Sequence, residues 1–164
     1  MDKNAEKLKY LLQKKIISIG ETVNMLRIGI GDEIEVTDRN GKLIKIGTFA
    51  VHIQCPWRVV NKLKNKVVLS SYDIDASKEL TDTIDNDLTT NSFQKRCNDW
   101  LDNDEKIITD YSFNSLGDLK LILCNGEVIE IYVDTCEDYE CWRAFETNSN
   151  EKHFVVSGTG IEFE

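Results

Sequence analysis

Proline occurs once in this chain, and no window comes near the roughly 18 consecutive apolar residues that a membrane-spanning helix requires. With that single proline and nine glycines, there is no Pro-rich spacer and no Gly/Ser linker. The N-terminal run MDKNAEKLKYLLQKK has charges on both sides of a short apolar patch and no small-residue cleavage site. It is therefore not read as a secretory signal, and the chain is expected in the cytoplasm. Histidine is scarce too, with His52 and His153 the two present. No G-x-S-x-G, no glycine-rich phosphate loop and no H-E-x-x-H occurs, so no familiar nucleophile–base, nucleotide or zinc-protease arrangement is encoded. Base is in deficit, 20 Lys+Arg against 29 Asp+Glu, for a formal net charge of −9. That balance argues against nucleic acid and anionic membranes as partners.

Five cysteines (Cys55, Cys97, Cys124, Cys136 and Cys141) are an odd number at irregular spacings, so reduced thiols are expected rather than a disulfide framework. Cys136-x4-Cys141 has no second pair at a zinc-site distance. Asp134, Glu137, Asp138 and Glu140 lack the central glycine and closing glutamate of a calcium loop. No metal and no cofactor is expected.

What is present is alternation. At 164 residues, 41% hydrophobic and 30% charged, the chain fits one domain, 1–164, with a sizeable core. Residues 2–15 carry Ala5, Leu8, Leu11 and Leu12 on one side and read as a helix, with Gly20 as its stop. From Thr22 the period becomes two, and Gly29 and Gly31 suggest a bend or bulge in the strand over 23–30. EIEVTDRNGKLIKIG is a hairpin. A three-residue loop of Arg39-Asn40-Gly41 pairs Val36 with Ile44 and Ile34 with Ile46, whereas a two-residue loop mixes apolar and polar faces. A second hairpin, with the loop Cys124-Asn125-Gly126, pairs Leu121 with Ile129 and Leu119 with Ile131 and sets Lys120 opposite Glu130. Residues 71–92 read as a long acidic surface connection. Asn91 is positioned to cap a second helix near residues 92–103, with Gln94 reaching back and Phe93, Cys97, Trp100 and Leu101 on one face. Further strands are expected at 66–70, 107–113, 142–145 and 153–156. The predicted fold is α+β: mostly antiparallel sheet with two Asn-Gly hairpins and two helices.

The candidate site residues follow from the stretch GTFAVHIQCPWR. Phe49, Val51, Ile53 and Cys55 share one strand face, with Ala50, His52 and Gln54 on the other. Pro56 should end this strand and present Trp57 and Arg58 at its tip. Trp142-Arg143 repeats the dipeptide, and Glu140 or Asp138 are local partners for Arg143. Tryptophan buries a large area with one donor, and arginine makes a planar two-pronged contact with carboxylate or phosphate. A bridged, structural role for both pairs and a shared binding groove both fit this pattern.

HIQCPWR at 52–58, YECWRAFE at 139–146 and HFVVSGTGIEFE at 153–164 resemble a family of bacterial proteins that carries no established activity. The likeness covers about half the chain. It implies that His52, Gln54, Trp57, Arg58, Trp142, Arg143 and His153 belong to a shared pattern.

Charge is segregated along the chain. Residues 39–66 hold seven bases and no acid; 73–105 hold ten acids against three bases; 127–146 hold seven acids against one base. The favoured expectation is a non-enzymatic protein-binding module, toxin-neutralising or regulatory, whose acidic segments meet a basic protein partner. The alternative is a small-molecule-binding protein or enzyme with a pocket near His52, Arg58, Arg143 and His153.

Overall fold

The computed structural model describes residues 4–74 and 92–164. A 3-10 helix, Ala5–Leu11, leads into β1 (Ile16–Thr22), β2 (Met25–Thr37), β3 (Leu43–Ile53), β4 (Trp57–Asn61) and β5 (Lys66–Ser70). Helix α1 (Ser92–Asn103) follows, then β6 (Ile108–Phe113), β7 (Leu119–Leu123), β8 (Glu127–Ile131), β9 (Glu140–Glu146), β10 (Phe154–Ser157) and β11 (Gly160–Phe163). The strands form two antiparallel sheets, β1-β2-β3-β9-β10-β11 and β5-β4-β8-β7-β6. The expected α+β class, mostly antiparallel with short helices, is what the molecule adopts. The six-stranded sheet is assembled from both ends of the chain, and the five-stranded sheet comes wholly from its middle.

Period-two alternation directs one face of each sheet inward. Ile28, Val51, Ala144 and Phe154 fall in register across four strands of the first sheet, and Val59, Ile129 and Leu121 across three of the second. Both sets join one hydrophobic core. The 3-10 helix and α1 bridge the flanks of this sandwich. In α1, Phe93 packs on Trp57 at 6.2 Å, the Trp100 indole donates to Glu127 at 2.7 Å, and Gln94 donates to the Ile19 carbonyl at 3.0 Å. On the other flank, Tyr10 packs on Phe49 at 4.9 Å, and the Tyr111 hydroxyl donates to the Ala5 carbonyl at 2.7 Å. No described helix is long and apolar enough to cross a membrane.

Both hairpins take the expected register. Ile34 pairs with Ile46, Val36 with Ile44, Leu121 with Ile129, Leu119 with Ile131, and Lys120 with Glu130. Gly41 (φ 78°) and Gly126 (φ 81°) supply the left-handed residue of each loop. The β2–β3 register shifts between Ile30 and Glu33, around Gly31 at φ 90°, which is the bulge read from the glycines.

Three expectations are corrected, and one further strand is found. The N-terminal helix is a 3-10 helix that ends at Leu11, because Ala5, Leu8 and Leu11 recur every three residues and so eclipse on one edge at three residues per turn. Gly20 does not stop a helix but lies within β1, formed by the β-branched run from Ile16. Pro56 does not leave Trp57 at a strand tip: β3 ends at Ile53, and Trp57 opens β4 in the opposite sheet, 3% exposed. The tail after Gly158 is the strand β11, paired along β10. Most of the acidic connection and the capping residue Asn91 lie outside the described residues.

Candidate functional site

Strand pairing carries four of the seven predicted site residues to one surface, the outer face of the six-stranded sheet. Arg27 of β2 pairs with His52 of β3, which pairs with Arg143 of β9. Each flanks an inward-facing residue, so all three project outward. The Phe145 ring lies edge-on to His52 at 4.9 Å and is stacked on His153 at 4.3 Å. Arg143 Nε donates to Glu140 Oε1 at 2.7 Å, and its Nη2 pairs with Glu140 Oε2. Arg143 Nη2 also lies 3.7 Å from Glu164 Oε2. Gln54 Nε2 donates to Glu140 Oε1 at 3.1 Å. Arg143 Nη1 lies 3.1 Å from His153 Nδ1. Guanidinium only donates, so Nδ1 is the acceptor and the His153 proton sits on Nε2.

Both imidazoles are held neutral. Burial lowers the His52 pKa to about 4, with the Arg27 and Arg143 charges adding to the effect. Burial and then Arg143 depress His153 in the same direction. Neither ring is hydrogen-bonded to a hydroxyl, thiol or carboxylate of a described residue, so the nucleophile–base pairing of acyl transfer is not assembled around them.

Beside this strip the sheet surface opens into a groove of about 610 Å³. Ser18, Gly20, Gly29, Gly47 and Ala50 line it with little side chain, and Ile44, Ile46, Phe145, Gln94, Thr147, Asn148, His52 and Arg27 are among the larger lining residues. Gly47 has no room to be otherwise, because a Cβ there would collide with the Ile30 backbone, and one on Gly29 would displace Ser18 Oγ. Lys45 at the rim is bonded to Glu33 at 2.8 Å. Arg27, by contrast, makes no ion pair and no side-chain hydrogen bond with any described residue. Glu21, also in the lining, pairs with the inward-facing Leu26 and so points to the opposite side of the sheet from Arg27.

The other three predicted residues are elsewhere. Trp57 and Trp142 are core, and the Trp142 indole donates to the Gly117 carbonyl at 2.9 Å. Arg58 lies on the outer face of the five-stranded sheet, where its Nε meets Glu130 at 2.6 Å. Glu130 is 1% exposed and also holds Lys62 at 3.3 Å, Lys120 at 3.4 Å and the Tyr132 hydroxyl at 2.7 Å. Burial alone would raise its pKa, but the Tyr132, Arg58 and Lys62 hydrogen bonds and the Arg58 charge bring it down to about 2. A pocket combining Arg58 with His52, Arg143 and His153 is therefore not formed.

Sequence reading missed Arg27, Phe145 and Glu164, and on the other face Lys62 and Tyr132. Arg27 was within reach: laying the strand over 23–30 against 48–55 in antiparallel register sets it opposite His52. Glu164 carries no such signal, because it meets Arg143 only once the tail pairs as β11. All five cysteines are free thiols, with Cys55, Cys97 and Cys141 buried, and no metal-binding group of His, Cys, Asp or Glu occurs among the described residues. No family model matches this chain, and no significant match exists to it among curated proteins or solved structures.

Proposed function

We propose that this protein is a non-enzymatic binding protein whose recognition surface is the outer face of the six-stranded sheet. One observation carries the reading: a groove of about 610 Å³, within the size range of small-ligand sites, adjoins a guanidinium left unpaired by every described residue. The opposite outer face is closed chemically, since Glu130 draws Arg58, Lys62 and Lys120 together. The test is an unbiased fragment screen read by amide chemical shifts on the full chain. Perturbations are expected to cluster at Ser18, Gly29, Gly47 and His52 and to vanish in Ser18→Trp, which fills the groove from an exposed position. Perturbations clustering on the five-stranded face, or absent altogether, would reject this reading.

A second reading, a basic protein partner, is favoured by the ion-pair pattern. Cations of the 39–66 segment bond to Glu33 and Glu130, and Asp99, Asp102, Asp134 and Glu137 have no ion pair among the described residues. These acids fall at opposite ends of β4, Asp134 near Trp57 and Asp99 near Asn61, so they form two patches rather than one face. A basic protein retained by the native chain and lost on Asp99→Lys/Asp102→Lys, but kept by Ser18→Trp, would favour this alternative.

A further inference from the structure

The groove's charge inventory is lopsided. Of its ionic lining groups, Lys45 is matched by Glu33 and Glu21 points to the sheet's other side. Arg27 is left without a counter-charge among the described residues. Next to it in the cross-strand row stands His52, and beyond His52 the Arg143 guanidinium is already engaged by Glu140 and Glu164. A neutral imidazole has one N–H to donate, and a guanidinium has a planar fork of donors. Two donors of this kind side by side fit an oxyanion group. Phe145 lies beside His52, and Ile44 and Ile46 continue the lining as an apolar run farther along β3, with Ser18, Gln94, Thr147 and Asn148 as its neutral polar groups. The site thus has a polar end that wants negative charge and an apolar stretch that wants hydrocarbon.

We propose that the groove binds a small organic anion, a carboxylate or phosphate monoester on an apolar body, with Arg27 as the principal anion contact and His52 as the second donor. This rests on the groove being the recognition surface. It makes the ligand's charge, rather than its bulk, the main determinant of affinity, because a guanidinium–oxyanion pair is charge-assisted at both ends.

The experiment uses three probes on the full-length chain: 4-phenylbutyrate, phenyl phosphate and the uncharged 4-phenyl-1-butanol. Amide shifts locate binding, and the His52 ring proton resonance is titrated against pH. The charged groups acting on His52 are Arg27, Arg143 and Glu140, with His153 a further titratable neighbour. An anion seated beside it offsets the two arginines and stabilises the imidazolium, so the His52 titration should move to higher pH with either anion and stay in place with the alcohol. Arg27→Gln, at an exposed position, should weaken the anions roughly tenfold or more and leave the alcohol unchanged. The tighter of the two anions assigns carboxylate or phosphate, and either result supports the inference. If the alcohol perturbs the groove as strongly as the anions and Arg27→Gln changes nothing, the anion assignment is overturned while the groove stands. If none of the three perturbs the groove, both fall.

Discussion

Glu130 and His52 are two nearly opposite solutions to burying a titratable group. Glu130 keeps its charge because three cations and a tyrosine hydroxyl surround it. His52 gives up its charge because burial disfavours the imidazolium, with the Arg27 and Arg143 charges adding to the effect. The pH dependence of stability follows from both. His52 titrates at about 4 when folded against 6.5 for a free imidazole, so between those values the unfolded chain binds more protons. Its contribution is complete above pH 6.5 and declines as pH falls toward 4. Glu130 is also lowered, from 4.5 to about 2, so its contribution is complete above pH 4.5 and is lost as pH falls through 2. Urea unfolding across pH 7 to 2.5 should therefore show two successive losses. His52→Gln should flatten the upper one and Glu130→Gln the lower. At pH 7, Glu130→Gln should cost about 1–2 kcal/mol, because the half-exposed cations it leaves regain water. A profile for His52→Gln that coincides with the parent above pH 4 would show the histidine to be irrelevant to stability.

At the scale of elements, the two Asn-Gly hairpins show what a sequence specifies well. In each, one register puts apolar residues together and the next register separates them, so burial itself selects the pairing. Lys120 opposite Glu130 adds a charge match on the outer face. The N-terminal segment shows the reverse case. Ala5, Leu8 and Leu11 satisfy an α-helical and a 3-10 pattern nearly equally, and the choice is made by contacts from distant strands. Gln13 donates to the Ile108 carbonyl at 2.8 Å and Ile16 to the Lys106 carbonyl at 2.8 Å, which draws the chain out as a strand. Periodicity within the segment cannot register such partners. The loops also permit a quantitative test. A Cβ on Gly41 would meet nothing within 4 Å, so Gly41→Ala isolates the cost of a left-handed backbone, about 1 kcal/mol by urea denaturation. A loss of 3 kcal/mol or more would mean that the hairpin arm packs on something.

For the whole molecule, one core shared by both sheets implies one cooperative transition. Trp142 reports on the six-stranded sheet, Trp57 on the five-stranded sheet and Trp100 on α1. Tryptophan fluorescence and far-UV circular dichroism should melt together, and a gap between them would mean that the sheets unfold separately. The site belongs to this scale as well. Alternation alone puts His52 and Gln54 on one strand face, but bringing Arg143 and His153 beside them, and sending Arg58 to the other side, depends on Pro56 marking a change of sheet. A proline reads equally as a strand end or as a corner, and no residue near it decides between them. That same corner bears on how the protein is made. Gln54 and Glu140 meet across the sheet although 86 positions separate them, and the intervening chain builds the whole second sheet. A nascent polypeptide therefore emerges from the ribosome with the far edge of β3 bare, its amides and carbonyls open to any stray strand, until β9 arrives to cover them. Translation speed through the middle of the message would set how long that exposure lasts.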